Sequence, residues 1–357
     1  MKPYLTDEFG NPGGNYCLGF NAKKAVDNAR QQVADFFNCD PESIIFTSGG
    51  SEGNNTVIRS ARPNSTIVVS NIEHDSILNA VKDLHIRNYN KYELAKVKSD
   101  GTVGVSDIRN VCGVNTGLIS VMYVNNETGV KNDIKKIAEF CHDRCIPFHS
   151  DCVQAAGNYE LDVNELGVDY ATISSHKIHG PKGVGAIYAS PNSGIIPLIS
   201  GGDNQEFGLR GGTENVPGIV GFGKACEIAK AGIKETQRKM NLLKNTFMDI
   251  LKYRIGAFVE YNAVPDPVGK ILNFRVVGVD SQSLILALSC DVCLSAGSAC
   301  TSHNIEPSHV LRAMGIPIKK CMESVRVSFD AGQSCSDIVC AADSIAEAVQ
   351  NLRNAGS

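Results

Sequence analysis

The stretch Ser174-Ser175-His176-Lys177-Ile178-His179-Gly180-Pro181-Lys182-Gly183 is rich in polar side chains and lies between two apolar runs that are typical of buried strands. Ligands of open α/β sheets bind beyond the carboxyl ends of the strands. Lys177 follows the first of these runs, so it is placed to form a Schiff base with a carbonyl cofactor. Taken alone, the pattern is more typical of a solvated loop lysine, and Lys182 is a second candidate.

The first two thirds of the chain alternate between strand-like runs and amphipathic helical patterns. In Asn21–Phe37 the apolar positions form one stripe, and Asn21 is the predicted N-cap. This alternation predicts an α/β fold with a mostly parallel sheet and helices on both faces. The predicted strands are Ser43–Phe46, Ser65–Val69, Leu118–Val124, Ile146–His149, Tyr170–Ile173 and Val184–Tyr188.

A smaller α+β domain is predicted in the last third of the chain. A long helical stretch, Asn215–Tyr253, leads into it, and we expect a large domain over 12–252 and a small domain formed by 1–11 with 253–357. The elements predicted there are strand Ile271–Val276, helix Gln282–Ser289, loop Leu294–His303, helix Pro307–Met314, strand Val325–Phe329 and helix Ser336–Asn354.

The composition excludes several classes of protein. The 34 basic and 38 acidic residues nearly balance, so direct binding to nucleic acid or to an anionic membrane surface is not indicated. No apolar run approaches the length of a membrane span, and the N-terminus has no signal-peptide pattern. We therefore expect a cytoplasmic protein without a membrane anchor.

The chain has 13 cysteines, an odd number without a secretory context, which argues against a disulfide framework. Cys141 and Cys145 fall on a predicted helix, Ile134–Arg144, where core or surface positions are the ordinary interpretation. Cys290 and Cys293 form a single CxxC without a second pair of ligands, so no metal site is predicted.

Two further polar segments follow predicted strands. Thr47-Ser48-Gly49-Gly50-Ser51-Glu52 joins a strand to a helix, where glycines and helix N–H groups favour a phosphate. In His149–Gln154, the carboxylate of Asp151 could keep a pyridine nitrogen protonated, which makes the ring an electron sink. A phosphate turn, a carboxylate and Lys177, each after a separate strand, together describe a pyridoxal-phosphate pocket.

At this point the chain resembles the cysteine desulfurases of the NifS/IscS type, which belong to the fold-type I, class-V aminotransferase group of pyridoxal-phosphate enzymes. The matching motifs cover most of the length. They are Gly10-Asn11-Pro12, Glu73-His74, Val124-Asn125-Asn126-Glu127-Thr128-Gly129, Ser174 to Gly183, Arg210-Gly211-Gly212-Thr213, Ser298-Ala299-Cys300-Thr301-Ser302 with Glu306-Pro307-Ser308, and Arg326.

The resemblance implies a role for each matching residue in holding the cofactor. Lys177 would bind it and act as acid and base at the substrate Cα, Asp151 would pair with the pyridine nitrogen, and Gln154 with the ring hydroxyl. His74 would stack on the ring and help to move protons. The phosphate would be held by Gly50, Ser51, Ser174 and His176, together with Thr213 contributed by the partner subunit of a homodimer.

The resemblance also implies the substrate site and the reaction. Asn126 and Arg326, with Asn11, would fix the substrate carboxylate, a task that suits a bidentate guanidinium. Cys300 would take the sulfur of L-cysteine as a persulfide, leaving L-alanine. The sulfur would pass to an acceptor protein such as an iron–sulfur scaffold, or to thiolation, and Cys300 could serve as a transient iron–sulfur ligand.

Alternative functions remain open from the sequence alone. A selenocysteine lyase, a cysteine sulfinate desulfinase or an aminotransferase would share the fold, although an aminotransferase has no use for the Cys300 loop. A non-catalytic sulfur or iron–sulfur adaptor is a further alternative, but it would have no need of Lys177, Asp151 and His74 together. The family's N-terminal Asp-x-x-Ala-Thr-Thr-like run is absent, so we expect low activity alone or completion of the site by a partner.

Overall fold

The computed structural model describes residues 1–191, 193–296 and 306–355. The chain forms two compact units. The larger contains Met1–Ala95, Val103–Val124 and Asn132–Ile233; the smaller contains Lys96–Thr102, Asn125–Lys131 and the described residues from Lys234 onward. This grouping differs from the division proposed from sequence, because residues 1–11 join the larger unit and two short inner segments join the smaller.

The larger unit is built on a seven-stranded sheet in the order β1-β7-β6-β5-β4-β2-β3. Strands β2 to β6 run parallel to one another, while β7 is antiparallel to both β6 and β1. The carboxyl ends of β1, β2, β4, β5 and β6 therefore lie at one edge. The strands are β1 Ile44–Thr47, β2 Thr66–Ser70, β3 Lys91–Ala95, β4 Thr116–Ser120, β5 Phe148–Asp151, β6 Tyr170–Ser174 and β7 Gly185–Ala189.

Helices connect the strands of the larger unit, and their apolar faces are buried. The stripe predicted in the first long helix is buried at every position: Ala22, Ala25, Val26, Ala29, Val33 and Phe36. The helices are α1 Pro3–Thr6, α2 Cys17–Phe37, α3 Gly50–Arg59, α4 Asp75–Ile86, α5 Val105–Arg109, α6 Ile134–His142, α7 Val163–Leu166 and α8 Val216–Ile255, the last of which continues into the smaller unit.

The smaller unit has a three-stranded antiparallel sheet in the order β10-β9-β8. Its core joins the second half of α8 to β9 and α12 through Phe247, Phe274 and Ile345. The remaining elements are β8 Val259–Tyr261, β9 Ile271–Val276, α9 Ser281–Ala287, α10 His309–Ala313, α11 Ile318–Met322, β10 Ser324–Ser328 and α12 Cys335–Ala355. The predicted α/β class with a smaller α+β part is confirmed.

Some predicted bounds were wrong for identifiable reasons. Helix α2 begins at Cys17, so Asn21 lies inside it and donates to Glu8 at 3.0 Å instead of capping. The strand predicted to reach Val124 ends at Ser120, and the N–H of Met122 donates to a buried Glu73 carboxylate oxygen at 2.8 Å. Strand β3 was missed because its side chains are mostly exposed at the sheet edge.

The predicted helix Ile134–Arg144 ends earlier, at His142. Cys141 is buried within α6, whereas Cys145 is exposed beyond it with φ of 53°, so the two thiols do not share a helix face. Within the described ranges, no group of three or more His, Cys, Asp or Glu side chains could hold a metal ion. Across the same residues, no helix combines the length and apolarity that crossing a membrane requires.

Candidate active site

Most of the predicted cofactor residues of the larger unit lie beyond the carboxyl ends of β1, β2, β5 and β6, which share one sheet edge. Asp151 ends β5 and Ser174 ends β6, while His74 follows β2 after a short turn. Parallel packing thus brings together residues that are far apart in the sequence, such as Gly50 and Lys177. The fold confirms that these strand ends converge.

Asp151 is a buried carboxylate held by two donors. Its Oδ1 accepts from the N–H of Val153 at 2.9 Å, and its Oδ2 accepts from the side-chain amide of Asn54 at 2.7 Å. Burial raises the pKa of Asp151, while these donors and the charge of Lys177 oppose that rise. A protonated pyridine nitrogen is a fitting partner for a carboxylate in this position, because it would supply the opposite charge.

Lys177 lies in a single 3₁₀ turn, Ser175–Ile178, directly after β6. Its ammonium is close enough to Asp151 to oppose the rise in that carboxyl's pKa. His179 closes the turn in the left-handed conformation at φ 65°, and the N–H of Gly180 donates to the carbonyl of Ser175 at 3.0 Å. Lys182, the rival candidate, is exposed outside this turn.

His74 is the N-cap of helix α4. Its Nδ1 accepts from the N–H of Ser76 at 3.1 Å and lies 2.8 Å from the Ser76 hydroxyl. The amide of Asn54 spans from that hydroxyl, at 2.9 Å, to Asp151. Asn54 and Ser76 were not among the residues predicted from the sequence; Asn54 is buried on the inner face of α3 with Thr56 and Val57.

The turn before α3 has the geometry of an anion site. Gly49 has φ of 151°, which an L side chain rarely adopts, and a Cβ on Gly50 would lie 2.9 Å from Val153 Cγ2. The Ser174 hydroxyl lies 3.8 Å from the position of a Cβ on Gly49, and it is hydrogen-bonded to Nδ1 of His176 at 2.9 Å. The N-terminus of α3, with hydroxyl and imidazole groups beside it, fits a phosphate.

An ion pair ties this turn to the Arg-Gly-Gly-Thr motif. Glu52 accepts from the N–H of Ser48 at 2.8 Å and from Nε of Arg210 at 3.0 Å. Thr213, three residues after Arg210, is exposed. An exposed Thr213 is compatible with the predicted contribution to a partner subunit's site.

In the smaller unit, Arg326 on β10 contacts Asn126. Its Nη1 donates to the Asn126 carbonyl at 2.8 Å and its Nη2 donates to the Ser295 hydroxyl at 3.3 Å. The turn that presents Asn126 is fixed by Asn125, whose side-chain oxygen accepts from the N–H groups of Glu127 and Thr128, both at 2.9 Å. Arg326 and Asn126 therefore come together as expected, and Ser295 is an addition that the sequence did not indicate.

The remaining predicted residues are placed as follows. Asn11, in the larger unit, is exposed, and its side chain accepts from the N–H of Gly13 at 2.9 Å. Gln154 is half-buried three residues after Asp151, and Ser51 is exposed at the start of α3. Cys300 lies outside the described residues, so the structure gives it no geometry.

Comparison with known proteins assigns the chain to a family. The sequence pattern of the aminotransferase class-V family matches residues 1–339. The chain belongs to the class-V aminotransferase family. It is 38% identical over 347 residues to the cysteine desulfurase IscS of Clostridium botulinum (strain Hall), covering 95% of this chain and 87% of that protein. It is 39% identical over 363 residues to the IscS of Rickettsia akari, covering 99% and 87%.

Solved structures support the same assignment. A NifS-like protein superposes with a TM-score of 0.90 at 29% identity, covering 99% of this chain and 94% of that one. The NifS-like protein of Rickettsia africae gives 0.84 at 30% identity, covering 98% and 93%. These relationships confirm the predicted family, the pyridoxal-phosphate cofactor and an enzyme of the cysteine desulfurase type.

Proposed function

We propose that this class-V enzyme transfers the sulfur of L-cysteine to Cys300, leaving L-alanine, through the residues described above. The observation that carries the proposal is the convergence of Lys177, Asp151 and His74 at one sheet edge beside the α3 turn. Bound pyridoxal phosphate would supply an electron sink for the charge that develops at the substrate Cα.

The larger unit supplies residues for the cofactor. Lys177 would hold it and exchange a proton at the substrate Cα, and Asp151 would keep its pyridine nitrogen protonated. His74 would lie against its ring and Gln154 beside its hydroxyl. Its phosphate would be bound by Gly50, Ser51, Ser174 and His176, with Thr213 of a second copy of the chain.

The smaller unit supplies the substrate's carboxylate partner. The Arg326 guanidinium already has fixed hydrogen bonds to Asn126 and Ser295, which hold it in one orientation. A guanidinium fixed in this way can bind a carboxylate without first losing side-chain freedom. We propose that Arg326 and Asn126 bind the cysteine carboxylate, with Asn11 as a further contact.

Sulfur transfer to Cys300 is balanced without an external oxidant. The substrate Cβ–S bond breaks and a Cβ–H bond forms, while the Cys300 thiolate forms a new S–S bond to the departing sulfur. The thiol proton of Cys300 and the substrate's own protons account for the hydrogens of alanine and of the persulfide. An acceptor, which we propose to be an iron–sulfur scaffold protein or a thiolation enzyme, then removes the outer sulfur.

The experiment that tests this step compares Cys300→Ser with Cys293→Ser, an exposed thiol nearby in the sequence. Both variants should bind pyridoxal phosphate with unchanged absorbance. With L-cysteine, Cys293→Ser should form alanine and a persulfide, detected by alkylation and mass spectrometry, while Cys300→Ser should form no persulfide. Full sulfur release by Cys300→Ser would refute the proposal, and a colourless protein that binds iron would favour an adaptor.

We propose that the active form is a homodimer in the cytoplasm, where a chain with 13 cysteines is kept reduced. If Thr213 serves the partner's site, Lys177→Ala and Thr213→Ala proteins should complement each other. After mixing and exchange of subunits, a mixed dimer has one intact site, so up to roughly a quarter of the wild-type activity should return. No recovery, with exchange verified by mass spectrometry, would place Thr213 and Lys177 in the same subunit's site.

A further inference from the structure

The N-cap of α4 fixes the protonation pattern of His74. The backbone N–H of Ser76 can only donate, and it points to Nδ1 of His74 at 3.1 Å. Nδ1 is therefore an acceptor, and the proton of the neutral ring lies on Nε2. The Ser76 hydroxyl, 2.8 Å from the same nitrogen, must then donate its hydrogen to Nδ1.

The same logic continues outward from Ser76. Because its hydroxyl donates to His74, its oxygen must accept from the amide of Asn54, whose Nδ2 lies 2.9 Å away. The second hydrogen of that amide points to Oδ2 of Asp151 at 2.7 Å. The hydrogen bonds thus run from His74 through Ser76 and Asn54 to Asp151, and the direction of each one determines the direction of the next.

The other side of Asn54 supports this orientation. Asn54 is 1% exposed, and its Oδ1 is buried without a hydrogen-bond partner among the described residues. An unpaired buried acceptor is costly, and the two donor contacts of the amide hold it in this orientation despite that cost. The opposite orientation would place Oδ1 against the Asp151 carboxylate oxygen, which also accepts.

We propose that Asn54 and Ser76 are positioning residues that keep His74 as a fixed hydrogen-bond donor through Nε2 and couple its orientation to the carboxylate of Asp151. This proposal rests on the proposed function only for what His74 would face. In this tautomer His74 cannot accept a proton at Nδ1 without breaking the cap of α4. Proton exchange at the substrate therefore belongs to Lys177, and His74 orients and donates instead of acting as a base.

The tautomer can be measured without cofactor or activity. Protein labelled with ¹⁵N-histidine and freed of pyridoxal phosphate gives long-range ¹H–¹⁵N correlations that separate protonated from unprotonated ring nitrogens. His74 is one of eight histidines, and a His74→Gln sample assigns its signals. In the wild type we expect the Nε2–H form to exceed the Nδ1–H form by more than about tenfold, because two donors meet Nδ1.

Variants then test the two positioning residues. Ser76→Ala removes one donor to Nδ1, so the preference should fall by about threefold to tenfold, and Ser76→Thr should restore it. Asn54→Leu should reduce it in the same direction, since the Ser76 hydroxyl becomes free to turn. The matched control is Asn55→Leu on the same helix, whose amide donates to the backbone carbonyls of Ser51 and Ser76 and not to the Ser76 hydroxyl; the preference should not change.

A proton on Nδ1 in the wild type would overturn the proposal. So would an unchanged preference in both Ser76→Ala and Asn54→Leu, provided that circular dichroism shows both to be folded. Ser76 is only partly buried, so Ser76→Ala keeps the test valid if Asn54→Leu does not fold. Because these spectra are recorded without cofactor, their outcome is separate from any failure of Cys300→Ser to behave as proposed.

Discussion

Replacing Arg30 with Met should destabilise the larger unit by about 3–5 kcal/mol, the usual effect of removing one partner of a buried ion pair. Arg30 on α2 donates to both carboxylate oxygens of Glu206, at 2.6 and 2.9 Å, and to the carbonyl of Ile44 at 2.6 Å. The side chains of Arg30 and Glu206 are 8% and 3% exposed. The substitution would leave a buried carboxylate with the N–H of Phe46, at 2.7 Å, and without its counter-charge.

The loss should extend to the loop that carries Thr213. Glu206 and Phe207 both have positive φ, 44° and 59°, a conformation that costs non-glycine residues about 1–3 kcal/mol each. The ion pair holds these two residues in place, so we expect Arg30→Met to weaken cofactor binding as well as folding. The double variant Arg30→Met/Glu206→Leu buries no charge at this pair. Its loss in free energy of unfolding should be at least 2 kcal/mol smaller than the sum of the losses of the two single variants.

Urea unfolding followed by far-ultraviolet circular dichroism measures these differences, and equilibrium dialysis measures cofactor binding. The matched control is Arg87→Met, which removes an arginine paired with Asp83 at 2.8 Å but 63% exposed, where solvent screening makes the loss of stability small. If Arg30→Met cost no more than Arg87→Met, or if the double variant lost the full sum, the buried pair would not hold the loop.

Three further predictions concern buried titratable groups. Burial raises the pKa of Glu73 to about 8, so the stability that its neutral carboxyl contributes is present below pH ~4.5 and is lost as pH rises through ~8. The free energy of unfolding should therefore decline by up to about 5 kcal/mol, at 1.4 per pH unit. In unfolding titrations Glu73→Gln should remove this decline, while exposed Glu235→Gln should not. Burial lowers the pKa of Lys244 to about 8. The free energy of unfolding, relative to that of Lys244→Met, should therefore rise by up to about 3 kcal/mol between pH ~8 and ~10.5. A difference between the two proteins that does not change with pH would contradict this. Asp151→Asn should weaken pyridoxal-phosphate binding by roughly 10- to 100-fold in equilibrium dialysis, because a charge-assisted hydrogen bond is lost; unchanged binding would exclude a contact to the pyridine nitrogen.

The sequence could indicate which residues end strands, but not which side chains connect them. Lys177 and Asp151 were identifiable because each polar segment follows an apolar run, and parallel strands bring such segments to one edge. Asn54 and Ser76 were not, since their contact joins the inner face of one helix to the first turn of another. Strand β3 was missed for a different reason: its partner supplies the hydrogen bonds, while its exposed side chains carry no apolar period.

The two buried carboxylates near His74 have different surroundings, and that difference assigns their charges. Glu73 is fully buried, with the Ser70 hydroxyl and the N–H of Met122 donating to one oxygen, and Asp151 nearby raises its pKa further. Asp151 is also buried, but Lys177 and two N–H donors favour its charged form. Two interacting carboxylates do not ionise equally, and here the positive charge of Lys177 favours the charged form of Asp151. A neutral Glu73 thus leaves Asp151 as the charged partner that the cofactor's pyridine nitrogen requires.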